Sequence, residues 1–398
     1  MQKRLLVLAA GILQVPVIKK AREMGCYVIA ADGNANAVGL RYADKAIVAN
    51  ITDEEAMLQV ARDENVDGVI HPCSEVSMSV MGYINDSLGL SGISKPMAKR
   101  ATNKHLMREA FVKYDAPSPQ SYCTTDANVA WELFCGKFDT NAILKPSRNS
   151  GSRGIAKIER GITREKFLEL YERAYKESRD KQVLIEQFIE GPEFSVEIIV
   201  WNGGMNVLAM TDKKTTGAPY FVELGHNQPS IFPQDIVEKV KAAAVAGVEA
   251  LELTNCACHA EIKVENGKAY IMEIGARLGG DFISTELTHL STGIDMVAAA
   301  VNVALGIAPD LEPKEKKQGA CIRYFCPRPG KLVSIEGIEC LNDEHVYLSE
   351  IYCKEGDEIG EVKSSLDRSG HVIVVAETSK EAIEIAEELI SKIIFEIL

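Results

Sequence analysis

Residues 259 to 277, HAEIKVENGKAYIMEIGAR, constrain this chain more than any other stretch. Two alternating runs flank Asn266-Gly267, a strong short-range hairpin signal, and they carry Glu261 and Glu273 before ending on Arg277. The register decides what the two acids can do. A strict two-residue turn pairs Glu265 with Lys268 and leaves Glu261 and Glu273 on opposite faces. A three-residue loop with Gly267 left-handed at a bulge pairs Val264 with Lys268 instead. It puts His259 opposite Glu273 and sets the two acids on one face as diagonal neighbours about 7–8 Å apart. The bulged register is expected, because carboxylates so placed can share hard cations that also bind phosphate oxygens. The alternative is an amphipathic surface hairpin with solvated acids. Beyond Glu273, Gly275 leads to Arg277 and then Gly279-Gly280-Asp281, so a guanidinium arrives on a glycine-bearing loop just past a candidate metal ligand. An arginine there can stabilise charge developing in phosphoryl or acyl transfer.

At 398 residues the chain exceeds one ordinary core, and two or three domains are expected. Its formal net charge of -13 argues against a nucleic-acid surface, which needs clustered lysines and arginines that the sequence does not show. The ten cysteines include no C-x-x-C pair. Cys256 and Cys258 are two apart, which suits strand positions better than a zinc knuckle, and the thiols read as reduced. The opening Met1-Gln-Lys-Arg followed by Leu5 to Ala10 resembles a short signal peptide, but Gly11, Gln14, Pro16 and the charged residues after them fit a buried strand entering a helix. No run approaches transmembrane length. A cytoplasmic protein with no membrane partner is expected.

Apolar runs at Arg4 to Ala10, Tyr27 to Ala31 and Gly68 to Pro72 alternate with helix-like stretches at Val15 to Met24 and Glu54 to Asn65, which predicts a parallel α/β sheet. Asp32 stands where a ribose-binding acid of a nicotinamide site would be, but the first turn offers only Gly11 and lacks G-x-G-x-x-G. Ser74 and Glu75 follow the next strand, where open sheets place ligand groups, and they read equally as helix-start residues. Ala116-Pro117-Ser118-Pro119 breaks the chain, so the first domain is expected to end near Tyr114.

Strands at Asn141 to Lys145 and Ile155 to Ile158 enclose a Gly/Ser-rich loop that includes Ser150, Gly151, Ser152 and Gly154. Backbone N–H groups of such a loop can fold over phosphate oxygens, with Lys145 at its root as a point charge; such loops are also common as plain connections. From Gln182 to Glu197 the pattern is strand, short crossing, Gly191-Pro192 break, strand. The crossing's backbone can meet an adenine edge and Glu193 can meet ribose hydroxyls, or Glu193 is a solvated turn residue. From Gly319 onward, short strands and a final helix opened by the Thr378-Ser-Lys-Glu381 capping box predict a small α+β domain. The apolar stripe Ile383, Leu389, Ile390 and Ile393 faces its sheet. No catalytic constellation is visible there, so the segment is assigned to closing the cleft or to oligomer contact.

Taken in order, Lys104, Lys145, the 150–154 loop, Glu186 to Glu193, Glu261, Glu273 and Arg277 resemble the ATP-grasp carboxylate-amine ligases. Within them, Met272-Glu-Ile-Gly-Ala-Arg-Leu-Gly-Gly-Asp281 is most similar to the L-amino-acid ligase branch. The resemblance implies an α/β and α+β multidomain ATP-grasp fold: a Rossmann-like pre-ATP-grasp domain at 1–115, the nucleotide-binding and catalytic domain at 116–317, and a small α+β domain at 318–398. It implies that Lys104 and Lys145 bind ATP phosphates under the 150–154 loop. Gln187 and Ile189 would present backbone to adenine, Glu186 would lie beside its amino group, and Glu193 would reach the ribose. Glu261 and Glu273 would hold one or two Mg2+ ions, with Mn2+ as an alternative, and Arg277 would steady the acyl phosphate. Many members place Asn two residues after the second Glu, whereas this chain has Gly275, so Glu273 would bridge both ions or water would fill the gap. In this branch the segment Tyr220 to Asn227 lines the substrate pocket, which puts Glu223 on a substrate ammonium and His226 beside the amine; a lone histidine is otherwise most often structural. His259 would stand behind the metal ligands. A homodimer is compatible with the family.

The expected activity joins a carboxylate to an amine through an acyl phosphate, on amino-acid-like substrates. The rival readings are a purine-pathway or carboxylase-type enzyme activating formate or bicarbonate, and a nucleotide-binding protein without turnover.

Overall fold

The computed structural model describes residues 2–149 and 153–398, so Ser150, Gly151 and Ser152 lie outside the described residues. The first segment forms a parallel four-stranded sheet, in the order Lys45–Val48, Tyr27–Asp32, Arg4–Leu8, Gly68–Ile70. The strands Tyr27–Asp32, Arg4–Leu8 and Gly68–Ile70 are the apolar runs of the sequence. The edge strand Lys45–Val48 was not expected, because its residues are mostly exposed and carry no alternation to read. Helices cross between the strands, each set by local chemistry. Glu54–Asp63, for example, opens on Asp53, whose carboxylate accepts the Ala56 N–H, with Glu54 and Glu55 in the first turn.

The break at Ala116-Pro117 is followed by a second, antiparallel four-stranded sheet ordered Ser121–Thr124, Val183–Gln187, Ala142–Pro146, Ala156–Ile158. It buries its own cluster of Phe134, Phe167 and Tyr171 under two helices. Each such fully buried side chain contributes on the order of 2–3 kcal/mol.

The largest element is an antiparallel sheet of eight strands. From one edge they run Lys268–Gly275, Cys256–Glu265, Glu193–Trp201, Gly204–Thr215, Glu223–Gln228, Gly319–Tyr324, Gly370–Ala376 and Val346–Ile351. The first five belong to the middle segment and the last three to the C-terminal segment. The junction is an ordinary ladder in which Gly225 pairs with Arg323 and Gln228 with Ala320. The C-terminal segment therefore extends the central sheet, and the only sheet of its own is the small one of Glu358–Ile359, Gly330–Glu336 and Ile394–Ile397. Its helix Ser379–Lys392 is capped by Thr378 as expected, and Leu389 and Ile393 are buried against the sheet.

The first sheet is anchored by the helix Met296–Ala304, which shares its core with Leu5, Val7 and Val28. The contact is close enough that a Cβ on Gly68 would lie 2.2 Å from the Ala304 carbonyl oxygen. Among the described residues no helix is long and apolar enough to cross a membrane.

Candidate active site

The hairpin does not use the expected register. Asn266 and Gly267 both take positive φ (52° and 74°) in a two-residue turn, and Glu265 pairs with Lys268. The ladder then slips between Glu261 and Ile262: Ile262 faces Ile271 and Glu261 faces Glu273, so Met272 is the extra residue. The bulge thus sits in the strand and not at the turn. The two acids still share a face, now as a directly opposed pair, and His259 lies opposite Gly275 instead of Glu273.

Those carboxylates open into a cavity of about 310 Å3 between the two antiparallel sheets, within the range of ligand pockets. The helix Lys104–Lys113 aims cations at it. Asn103 caps that helix through the Leu106 N–H and also accepts the Ser147 hydroxyl, which ties the helix start to the strand carrying Lys145. Lys104 and Arg108 are one turn apart on one face. Lys104 Nζ donates to Glu273 Oε1 at 2.8 Å. Arg108 donates to both oxygens of Glu186, at 2.7 and 3.2 Å, and to the carbonyl of the bulge residue Met272 at 2.7 Å.

Glu186 was expected beside an adenine amino group. It is wholly buried, does not line the cavity, and is spent on Arg108 and on Lys145 Nζ at 2.9 Å. Burial raises its pKa, but the two cations outweigh that and hold it at about 2. Its part is to brace Lys145, which does line the cavity. Gln187 and Ile189 line it too, yet the Gln187 N–H already donates to the Gln120 carbonyl and the Ile189 carbonyl accepts from Lys263. Among the described residues no hydrogen bond engages the Ile189 N–H. Gly154 has φ 76° and packs against Pro146 and Glu177 without lining the cavity.

Lys213 went unread in the sequence, although its side chain is only 3% exposed and is surrounded by Glu193 at 2.7 Å, Glu261 at 2.9 Å and Glu223 at 3.7 Å. Burial pulls its pKa down, and the three acids more than offset this, leaving it well above the ordinary lysine value. The acids expected at the ribose, at the metal and at the substrate thus converge on one ammonium. Behind Glu261, His259 Nε2 stands 3.6 Å away, and His259 Nδ1 bonds the fully buried Glu197. Burial lowers the His259 pKa and Glu197 overrides it, to about 9. Ser284 donates to Glu197 and accepts the Gly279 N–H at 2.7 Å. Any Cβ on Gly279 would strike His259 Nδ1 at 2.6 Å, so that glycine is what lets the Arg277 loop lie on this pair.

Arg277 lines the cavity with its Nε unpartnered among the described residues, and its nearest acid is Glu75 at 3.8 Å. Burial, then the nearby Glu273, raise the Glu75 pKa to about 7. Ser74 does not line the cavity and its hydroxyl accepts the Val76 N–H, so of that pair only Glu75 reaches the site. His226 is buried against Asp281, 3.4 Å from its Nε2, and Glu223 lies on the same wall.

An ATP-grasp domain family matches residues 138–286, and an L-amino acid ligase C-terminal domain family matches residues 323–397. The chain thus carries an ATP-grasp domain followed by an L-amino acid ligase C-terminal domain. It is 28% identical over 293 residues to the alanine–anticapsin ligase of Bacillus subtilis, covering 68% of this chain and 61% of that one. It is 24% identical over 352 residues to human carnosine synthase 1, covering 81% of this chain and 42% of that one. The chain thus spans less than two thirds of the length of these curated relatives. The solved L-amino acid ligase of Bacillus licheniformis superposes with a TM-score of 0.83 at 20% identity over 99% of both chains, a likeness of fold. The ATP-grasp architecture accounts for the cavity's position between two antiparallel sheets.

Proposed function

We propose that the protein is an ATP- and Mg2+-dependent, ADP-forming ligase that joins an amino-acid-like carboxylate to an amine through an acyl phosphate. The observation that carries this reading is the convergence of Lys104, Lys145, Glu261, Glu273 and Arg277 on one cavity from four separate elements. The donor set fits magnesium: two opposed carboxylates, each now holding a lysine ammonium, suit a small cation that takes one or two carboxylates and completes its shell with phosphate oxygens and water. Glu261 and Glu273 would hold it, and it would neutralise charge on the transferring phosphoryl group.

A carboxylate is a poor acylating agent, so its oxygen first takes the γ-phosphoryl group of ATP as the bond from the γ-phosphorus to the bridging oxygen breaks and its electron pair leaves on ADP, with Lys104 and Lys145 spreading the transferred charge. The amine nitrogen then forms the C–N bond while the C–O bond to phosphate breaks, its electron pair leaving on inorganic phosphate. The amine proton passes to the His226–Asp281 pair. Arg277, its Nε free of other bonds, steadies the oxyanion of the tetrahedral state. Glu223 receives a substrate ammonium.

The test is phosphate release from ATP and Mg2+ against amino acids offered singly and in pairs, with ADP and AMP distinguished. ADP that appears only with particular pairs supports the reading and names the substrates. AMP, or silence across the matrix while ATP still binds, rejects it.

A further inference from the structure

The C-terminal segment carries no motif, yet its loop 363–368 sends Ser365 to the cavity and Arg368 to Asp281 in the cavity wall. Asp367 folds this loop on itself, accepting from the Lys363 N–H at 3.0 Å and from the N–H and hydroxyl of Ser364 at 2.7 and 2.8 Å. The turn so built delivers Ser365 and Arg368. Ser365 lines the cavity and donates to Glu223 Oε2 at 3.1 Å. Arg368 grips Asp281 through both carboxylate oxygens at 2.8 Å, while its guanidinium carbon lies 3.6 Å from the centre of the Tyr324 ring.

Every nitrogen of that guanidinium is spent. Nε donates to the Ser365 carbonyl at 2.8 Å, and one terminal nitrogen also reaches the Glu223 carbonyl at 3.3 Å. Arg368 is therefore not poised to hold a substrate carboxylate. What it holds is Asp281, a cavity-lining residue at φ 52°, a left-handed conformation that side chains other than glycine rarely take. Asp281 in turn faces His226 Nε2. An acid with this geometry fixes an imidazole's orientation and tautomer.

We infer that Arg368 is a positioning residue for the amine-coupling half of the reaction: with Ser365 it fixes Asp281 against His226 and braces Glu223, so the C-terminal segment completes the substrate side of the site. This rests on the ligase reading above. The electron and proton movements are those already given for the coupling step, and Arg368 takes no proton and touches no reacting atom.

The two halves are separable in experiment. With ATP, Mg2+ and single amino acids, hydroxylamine captures any acyl phosphate as a hydroxamate without needing a placed acceptor, whereas a second amino acid must be oriented to give an amide. In Arg368→Met and Asp281→Asn the amide-to-hydroxamate ratio falls by about tenfold or more, and Arg368→Lys recovers part of it. A ratio within about twofold of wild type, or an equal fall in both products, overturns the inference. If Arg368→Met does not fold, Asp281→Asn decides, since it removes the charge pair and keeps the shape. A wild-type chain that forms hydroxamates while no variant moves the ratio sinks this inference alone. A wild-type chain that forms neither product with any amino acid sinks the ligase reading and this inference with it.

Discussion

The proposed nucleotide side and the proposed substrate side of the cavity differ in how completely their polar groups are paired. On the nucleotide side every acid has a cation against it: Lys104 on Glu273, Lys145 and Arg108 on Glu186, Lys213 on Glu261 and Glu193. The charges cancel in place, and an incoming nucleotide with its cation exchanges one set of partners for another. On the substrate side Asp281 and Glu223 are also held by cations, Arg368 and Lys213, but Arg277 and His226 each leave a nitrogen unbonded among the described residues, and Glu75 has only a distant partner. The lesson is that both halves are held in place before any ligand arrives, but only the second keeps buried nitrogens without a partner among the described residues.

Four substitutions test this contrast, beginning with the greatest expected loss. Arg277→Ala should lower ADP formation by about 10²–10³-fold, while fluorescence titration shows ADP binding at its wild-type affinity. A parallel loss of nucleotide affinity would break the division between the halves. Glu186→Gln strands Arg108 and Lys145 in the interior and should cost on the order of 3 kcal/mol at pH 7. The sign follows from the depressed carboxyl: its contribution is complete above its ordinary value of 4.5 and vanishes as pH falls through about 2. Denaturation midpoints of the two chains should therefore approach each other in acid, and a constant gap would show that the charge is not what stabilises. Glu261→Gln should raise the Mg2+ needed for half-maximal ADP formation by about tenfold; an unchanged magnesium titration would remove Glu261 from the metal site. The least effect is expected from Gly267→Ala, about 1 kcal/mol of stability for a side chain forced into the left-handed region, with turnover intact because the strand bulge at Met272 and not the turn aligns the acids.

That last point shows where the sequence could be read and where it could not. Asn266-Gly267 announced the hairpin, the two acids announced a shared face, and the alternation of apolar runs announced the parallel sheet; all are local patterns of period two or longer that one chain segment contains whole. The bulge escaped because nothing in Ile271-Met272-Glu273 marks an extra residue. Arg108 fixes it by donating to the Met272 carbonyl from a helix far away in sequence. Lys213, Glu197 and Arg368 were missed for the same reason. Each is an ordinary residue in its own segment and gains meaning only from partners that the fold supplies. Glu186 was legible as a residue of the site but not as a buried brace, since burial depends on what packs over the strand.

The continuity of the central sheet has a consequence for anyone recombining these proteins. Cutting between the middle and C-terminal segments would leave Glu223–Gln228 as a bare strand edge with Gly225 to Gln228 stripped of their ladder to Gly319–Tyr324, an invitation to pair with another chain. It would also take Arg368 from Asp281. In evolutionary terms the C-terminal segment is not an interchangeable module. An exchange between relatives has to carry the strand pair and its arginine together, and so inherits whatever acceptor they were shaped for.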